Sequence, residues 1–422
     1  MIWSKKIKAG ALQFVLFIGA IIAVLLLAFV LLSHTHALFD KKTDITVDLI
    51  QAVDRAMYRS FDQNEERGHP WEPSKTNELG IQTNVQKEYW GVLEKRSVTA
   101  QKGKIQFTKT SFVGHGDDDR YALYLKDNQR PMVIAGSAKI TGDALLPQRG
   151  IKMGNIQGFG YTRSQLVYGR TKQSNAALPK LNDGMQRQLD RLTNSRELPK
   201  GDGLDLEKNM VVANSFLEEP KVVQGDFIDL AEVSLSGNIL VWATDAIRVH
   251  QSAQLRDVVL IAPKIEVTDG VAGSFQAIAS EWITVGRDCT LDYPTVLAVQ
   301  RSRTYGEKMS TEQDTRILVE RGSWVSGMLI YMDQNEYKGN SPYIKIEEEV
   351  TIKGEIHCTQ NLELKGSVLG SVTTNAFVAK ENGNVYLNHL FHGRVDASLF
   401  PIEYGGICYE NSNANRIMKW LY

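Results

Sequence analysis

Residues 241–297 decide the fold of this chain, and they read VWATDAIRVHQSAQLRDVVLIAPKIEVTDGVAGSFQAIASEWITVGRDCTLDYPTVL. Ile247, Ile265 and Ile283 follow one another at intervals of 18 residues, and apolar or small residues recur every six positions inside that interval. A second apolar series lies two positions further on. Apolar residues at i and i+2 indicate short strands with one face turned inward. Three such strands in a coil of about 18 residues predict a parallel β-helix.

The two series together define the predicted interior. The first comprises Val241, Ile247, Ala253, Val259, Ile265, Val271, Ala277, Ile283 and Cys289. The second comprises Ala243, Val249, Leu255, Ile261, Val267, Gly273, Ala279, Val285 and Leu291. An antiparallel β-sandwich is the alternative, but that fold has no strict register between strands. The repeated register favours the β-helix, in which neighbouring coils stack to bury the inward residues.

The same pattern divides the rest of the chain. It resumes at Ile317 and again at Ile344 after polar insertions at 301–315 and 333–342, so residues 233–400 are predicted to form the parallel β-helix. Residues 89–165 are predicted to be β-rich with a possible first coil, and residues 166–232 to be an irregular insertion with a short helix. Residues 401–422 are predicted to form a short C-terminal helix that caps the open end of the coil.

The N-terminus carries a predicted membrane anchor. Residues 11–32 are apolar except for Gln13, which is long enough for one helix to cross a bilayer. A cleaved signal peptide is the alternative, but the apolar run is long and residues 33–36 are a poor cleavage site. Lysines 5, 6 and 8 favour a cytoplasmic leader, residues 1–10, with the body outside. An amphipathic helix over 40–66 and a linker over 67–88 are predicted to follow.

Composition excludes several classes of protein. The chain is 43% hydrophobic and 23% charged with a formal net charge of −1, so a polybasic nucleic-acid binder and a disordered acidic protein are both excluded. Cys289 and Cys358 fall at inward positions and are predicted to be small core residues. The sequence predicts no cofactor site and no metal site.

One strand stack is predicted to be apolar on its outward side as well. Either the chain's own 89–146 region or a helix at 183–195 covers it, or a partner or a second copy docks there. The residues of this candidate interaction stripe are Leu240, Trp242, Val258, Leu260, Ile278, Val296, Met328 and Ile330.

The coil pattern of residues 239–380 resembles that of bactofilins and related polymer-forming bacterial proteins, whose bodies are small parallel β-helices. The resemblance rests on periodicity and implies a structural role. The N-terminus also looks like that of a type IV pilin, with a short basic leader, Gly10 and a long apolar helix. Prepilins carry a glutamate five positions after the cleaved glycine, and this chain has Val15 there.

The sequence fits two classes of β-helical enzyme poorly. Hexapeptide acyltransferases have a glycine after the aliphatic residue of each six, and this chain has none in that place. Polysaccharide lyases and hydrolases use clustered charges, for which Arg287, Asp288 and Asp292 are candidates near a turn. His250 and His357 are predicted to point outward without an orienting partner, which is typical of surface histidines. No catalytic residue is therefore predicted.

The sequence favours a membrane-anchored, non-catalytic scaffold of the bacterial cell envelope. The predicted location is the inner membrane, with the C-terminal body in the periplasm. Its predicted partners are the lipid bilayer through residues 11–32 and other envelope proteins or copies of itself. A pilin-like component of a secretion or surface-filament machine and a polysaccharide-acting enzyme are the alternatives.

Overall fold

The structure, a computed structural model, describes residues 9–62, 80–116, 120–194, 199–301, 315–333, 339–401, 403–410 and 414–421. Strands account for 52% of the chain and helices for 18%, so the protein is mainly β. It divides into two units. The first contains Met1–Ser60, Arg67–Val85 and Val98–Thr108, and the second contains Phe61–Glu66, Gln86–Ser97 and Lys109–Tyr422.

Helix α1 spans Ala9–Asp62 and joins the predicted membrane span and the predicted amphipathic helix into one element of 54 residues. At 1.5 Å per residue it is roughly 80 Å long. It is long and apolar enough to cross a membrane, and its most apolar window is 0% buried. Further along, Leu49, Val53 and Met57 are buried, which confirms the predicted apolar stripe. Residues 63–66 of the predicted amphipathic helix lie outside the described part of the chain.

The remaining elements are mostly short strands. A second helix, α2, spans Asp183–Asn194, and a 3₁₀ turn spans Ala397–Leu399. The strands are Gln82–Trp90, Leu93–Lys102, Ile105–His115, Leu123–Leu125, Met132–Ala135, Lys139–Thr141, Ala144–Leu146, Ile151–Met153, Asn155–Ile156, Phe159–Gly160, Thr171–Gln173, Asp202–Gly203, Val211–Asn214, Lys221–Leu230, Ser234–Gly237, Ile239–Val249, Gln254–Val267, Ala272–Val285, Thr290–Gln300, Ile317–Val319, Trp324–Met332, Ile344–Ile346, Thr351–Leu364, Ser367–Glu381, Asn384–Leu387, His389–Phe391, Arg394–Asp396 and Asn415–Leu421.

The second unit is built on a closed, parallel, β-helix-like sheet, as the sequence pattern predicts. Paired residues form three columns that run along the stack and point inward, which identifies three faces. The columns include Val241, Leu260, Ala277, Leu297 and Leu329 on the first face. They include Ile247, Ile265, Ile283, Ile317 and Ile344 on the second. They include Leu255, Gly273, Leu291, Val325 and Ile352 on the third.

The order of the coils along the stack differs from the order in the sequence. Val372 pairs with Leu123, and Val395 pairs with Ile140, so residues 123–141 stack beyond the last coil of the C-terminal region. Ala144–Leu146 and then Thr171–Gln173 extend the stack further. The predicted first coil near residue 132 therefore lies next to residues 367–396, because strand edges are satisfied wherever a parallel partner is available.

Three predicted boundaries are corrected. The strand Gln82–Trp90 begins inside the predicted linker, and strands at 171–173, 202–203, 211–214 and 221–230 within the predicted insertion belong to the stack. The prediction of a C-terminal cap helix is wrong. Asn415–Leu421 is a strand that pairs antiparallel with residues 110–115, since that edge offers backbone groups that a strand can satisfy.

Candidate functional site

The outward side of the first face is apolar over five coils and is buried. We call it the covered face, and its apolar members are Leu240, Val259, Ile261, Ile278, Val296, Ala298, Met328 and Ile330. Three separate segments of the same unit pack on this face, and we call them the cover. Their buried residues are, in order, Trp90, Val92, Leu93 and Phe112; Leu181, Met185 and Leu189; and Ile407, Met418 and Leu421. Side chains of the chain itself thus occupy the surface that a partner would need.

The predicted interaction stripe maps onto this face with two corrections. Leu240, Ile278, Val296, Met328 and Ile330 are buried in the covered face, and Trp242 is half-buried against it. Val258 and Leu260 instead point into the β-helix interior. Val259 and Ile261, which were predicted to point inward, lie on the covered face. The register shifts between Arg256 and Val258, where Asp257 has φ of 60°, and the extra residue reverses the alternation.

The predicted cover from 89–146 and from the 183–195 helix is confirmed, and the C-terminal part of the cover was not predicted. No single local pattern marks residues 407–421 as a cover. Their apolar spacing predicts a helical cap, whereas Met418 and Leu421 are buried as part of a strand.

Gln276 forms hydrogen bonds that hold the first segment of the cover on the β-helix. Its side chain is buried among the apolar residues of the covered face. The amide Nε2 donates to the Trp90 carbonyl at 2.8 Å, and Oε1 accepts from the Val92 N–H at 2.9 Å. The Trp90 indole N–H also donates to the Asp257 carbonyl at 3.2 Å. The side chain of Gln276 therefore pairs both the carbonyl of Trp90 and the N–H of Val92 in a turn that is shielded from water.

Asp257 forms an ion pair that holds the last segment of the cover on the β-helix. Its carboxylate is buried and receives the Lys419 ammonium at 2.7 Å on each oxygen. Charge-assisted hydrogen bonds of this length are among the stronger polar contacts in proteins. The same residue therefore creates the local register shift and holds the C-terminal strand.

The covered face turns polar further along, where Glu355 and His357 take the outward positions after Met328 and Ile330. Glu355 is 4% exposed and its Oε2 accepts the backbone N–H of Ile407 at 2.5 Å. Burial raises the pKa of Glu355 from 4.5 to about 7, while the Ile407 N–H and the charge of Arg120 act in the opposite direction. Near neutral pH this carboxyl group exists in both forms.

His357 is 1% exposed, so the prediction of a surface histidine is wrong. Its ring Nδ1 lies 3.4 Å from the Tyr409 hydroxyl, which also donates to the hydroxyl of Thr373 at 3.4 Å. Burial lowers the pKa of His357 from 6.5 to about 4. The imidazole is therefore neutral at physiological pH. Sequence alternation gives its outward direction correctly but contains no information about Tyr409, which is 52 positions away.

Arg120 and two tyrosines hold the chain that crosses this polar end. The Tyr404 hydroxyl donates to the Gly327 carbonyl at 2.9 Å, and the Tyr293 hydroxyl donates to the Gly405 carbonyl at 2.8 Å. Arg120 donates to the Tyr404 carbonyl and lies 4.5 Å from the centre of the Phe400 ring. Burial lowers the pKa of Arg120 and raises those of both tyrosines. These hydrogen bonds join parts of the chain to one another, so the polar groups have a structural role here.

A groove that is open to solvent lies elsewhere on the described part of the chain. It has a volume of about 630 Å³ and is lined by residues that include His250, Glu266, Asp269 and Glu320. His250 Nε2 lies 2.6 Å from Asp229 Oδ1, so the prediction that His250 has no orienting partner is wrong. No group of three or more His, Cys, Asp or Glu residues in the described part of the chain is arranged to hold a metal ion.

Among the other predicted candidates, one arginine is paired and two cysteines lie in the core. Arg287 pairs with Glu320 at 3.5 Å. Cys289 and Cys358 are buried in the β-helix interior without a disulfide, which confirms their prediction as core residues. Burial raises the pKa of each thiol, so neither is a reactive thiolate at neutral pH.

Comparison of the chain with protein-family models, with curated proteins and with solved structures found no match.

Proposed function

We propose that this protein is a membrane-anchored, non-catalytic scaffold of the bacterial cell envelope. In this proposal α1 crosses the inner membrane through residues 11–32, with the N-terminus in the cytoplasm and the β-helical body in the periplasm. The observation that carries the proposal is α1 itself. Its apolar part is exposed along its whole length, and lipid is the solvent that stabilises such a surface.

The rest of the body supports a structural role. The covered face is closed by the chain's own segments, and the titratable groups Glu355 and His357 are sealed beneath them. A substrate does not reach either group in this arrangement, whereas general acid–base chemistry requires contact with the reacting atoms. Charged pairs such as Arg248 with Glu266 lie on the second face and suit polar contacts with other envelope proteins. We further propose that the repeating coil is about 18 residues long, which is the spacing of the paired residues Ile247, Ile265 and Ile283. Coils that contain a bulge or an insertion are longer.

The topology is tested in cells that express the full chain with an epitope after Tyr422. The epitope should be digested by protease added to spheroplasts, and the chain should stay in the membrane fraction after carbonate extraction. A cytoplasmic marker protein must remain intact in the same samples. Protection of the epitope until lysis, or release by carbonate, would contradict the proposed anchor and orientation.

The scaffold role is tested by photo-crosslinking in the same cells, with the crosslinker at exposed positions such as Trp324 and Lys172. Defined envelope proteins or further copies of the chain should be captured. The full chain in detergent should leave a panel of envelope polysaccharides unchanged. Cleavage of a polysaccharide that is lost in the Asp229→Asn variant would favour the enzyme alternative instead.

A pilin-like role is the second candidate, and the continuity of α1 favours it. An apolar half followed without interruption by an amphipathic half is the arrangement expected of a pilin helix. This role requires removal of the leader after Gly10. Mass spectrometry of the N-terminal peptide from cells decides the matter, because an intact leader excludes pilin-type processing.

A further inference from the structure

A serine and a histidine are hydrogen-bonded to each other on the surface of the second unit. The hydroxyl Oγ of Ser137, which is exposed, lies 2.8 Å from Nδ1 of His392, which is half-buried. The backbone N–H of Ser137 donates to the same nitrogen at 3.3 Å. Because a backbone N–H can only donate, Nδ1 carries no proton, and its lone pair also accepts the serine hydroxyl. A nucleophile and a base at this distance form the pair that nucleophilic chemistry requires.

The stacking of two coils brings this pair together. Ser137 and His392 each lie in the turn that follows a strand, and the two strands pair in parallel through Ala135 and Phe391. The two turns therefore lie side by side. The two residues are 255 positions apart in the sequence, so no local pattern indicates that they meet.

Aromatic rings, rather than a carboxyl group of the described residues, hold the histidine ring in place. The ring of His392 lies on that of Phe391, with 3.9 Å between their centres, and Phe159 meets it edge-on at 5.9 Å. A Cβ at Gly136 would lie 2.7 Å from Cε1 of His392, and Gly136 has φ of 62°, so glycine leaves room for the ring. These contacts fix the orientation of the imidazole, which is one of the tasks of the carboxylate in a catalytic triad.

A cation and an exposed apolar side chain lie next to the pair. The Arg163 Nη2 donates to the Ser137 carbonyl at 3.2 Å, which holds the guanidinium beside the serine. A donor in this position stabilises the negative oxygen that forms when a nucleophile attacks a carbonyl group. Phe159, in contact with His392, is 60% exposed and offers an apolar surface on which an aliphatic chain loses contact with water.

We propose that Ser137 is an acyl-acceptor site, to which an aliphatic ester or thioester transfers its acyl group. Ser137 Oγ attacks the carbonyl carbon of the ester, and Nδ1 of His392 takes the hydroxyl proton. The bond from the carbonyl carbon to the leaving oxygen or sulfur then breaks, and His392 returns the proton to the leaving group. The products are an O-acyl serine and a free alcohol or thiol. This inference goes beyond the scaffold function and does not depend on it.

A single acyl transfer fits the pair better than continuous ester hydrolysis does. Among the described residues no carboxyl group is hydrogen-bonded to His392, and replacing that member of a catalytic triad lowers turnover about 10⁴-fold. The acyl group therefore stays on Ser137, and the body is modified once. The alternative is a hydrogen bond that only joins two neighbouring coils.

The test treats the full-length chain in detergent with p-nitrophenyl octanoate and, separately, with p-nitrophenyl acetate. The wild type should release a single equivalent of p-nitrophenolate, and mass spectrometry should find the octanoyl group on Ser137. The octanoate should react faster than the acetate. Phe159→Ser should remove this preference, because the apolar contact for the longer chain is lost.

Two variants separate an activated serine from a structural hydrogen bond. Ser137→Ala should abolish the acylation, and His392→Asn should slow it at least about 100-fold, since a general base contributes that much or more. Asparagine tolerates the left-handed backbone of His392, which has φ of 62°, so this variant should fold. Ser164→Ala and His389→Asn are the matched controls and should react like the wild type. Circular dichroism checks that each variant is folded.

Three results overturn the proposal. Equal reaction of the wild type and His392→Asn, or acylation of lysines alone, leaves the contact between Ser137 and His392 as a structural hydrogen bond. Release beyond one equivalent that depends on Ser137 would instead make the chain an esterase. A wild type that reacts no faster with the octanoate than with the acetate contradicts the aliphatic donor. None of these results alters the topology expected for the membrane anchor.

Discussion

Glu355 on the covered face accepts a hydrogen bond from the backbone N–H of Ile407, with 2.5 Å between Oε2 and N. This contact joins the outward side of a β-helix strand to the C-terminal segment that crosses it. Because its acceptor is a carboxyl group whose pKa is raised by burial to about 7, the stability of the covered face depends on pH.

Replacing Glu355 with Gln should make the protein more stable than the wild type at pH 8. The pKa of Glu355 rises from 4.5 to about 7 on folding, so its favourable contribution is complete below pH 4.5 and is lost as pH rises to 7. The loss amounts to about 3 kcal/mol. Urea unfolding of the full chain at pH 4 to 8 measures this, with the exposed Glu349→Gln as the control. An unchanged pH profile in Glu355→Gln would show that this carboxyl group is not buried as described.

Replacing His357 with Gln should have the opposite effect on the pH profile. The pKa of His357 falls from 6.5 to about 4 on folding, so its contribution is complete above pH 6.5 and is lost as pH falls to 4. The loss is again about 3 kcal/mol. His357→Gln should therefore lose less stability in acid than the wild type. The half-exposed His250→Gln is the matched control, and equal acid sensitivity in both histidine variants would contradict the burial of His357.

Replacing Gln276 with Leu should destabilise the protein by about 2–6 kcal/mol. The leucine fits an apolar surface but leaves the Trp90 carbonyl and the Val92 N–H without partners, and a buried unpaired group costs about 1–3 kcal/mol. Denaturant unfolding measures the loss, and hydrogen exchange at Val92 should accelerate. Gln224→Leu is the control, since Gln224 lies on the same face but is exposed. Equal effects at the two positions would mean that Gln276 does not fasten the cover.

Replacing Leu25 with Lys should release a fraction of the protein from the membrane. A lysine at the centre of a spanning helix costs about 3 kcal/mol. Val47→Lys is the control, because Val47 is exposed on the same helix but lies beyond residues 11–32. The measurement is the fraction that resists carbonate extraction. If both variants remain fully membrane-bound, residues 11–32 do not anchor the chain.

The interior of the β-helix could be predicted from sequence because each inward position obeys the same local rule. Ile247, Ile265 and Ile283 pair in one column as their spacing predicts. The prediction failed at Val258 and Leu260, where Asp257 adopts a left-handed backbone and adds a residue to the strand. An aspartate in that conformation is uncommon and leaves no periodic signal.

The cover could be predicted only in part, because it depends on contacts between distant parts of the chain. The apolar outward side chains of Ile278 and Met328 require a cover, and that requirement is visible in the sequence. Which segment meets them is decided by pairing such as that of Ile417 with Val113, which no local pattern encodes. The burial of Glu355 and His357 follows from that pairing and was therefore missed.

The parallel register of neighbouring coils is the central claim, and disulfide trapping tests it most directly. Arg248 pairs with Glu266, and Glu266 pairs with Thr284, on the outward side of the second face. Paired residues in adjacent strands lie about 5 Å apart, within reach of a disulfide, and residues two strands apart lie about 10 Å apart, beyond its reach. In a Cys408→Ser background, the cysteine pairs 248/266 and 266/284 should cross-link rapidly on mild oxidation, and the pair 248/284 should not. Rapid cross-linking of 248/284 with none in the two adjacent pairs would contradict the β-helix.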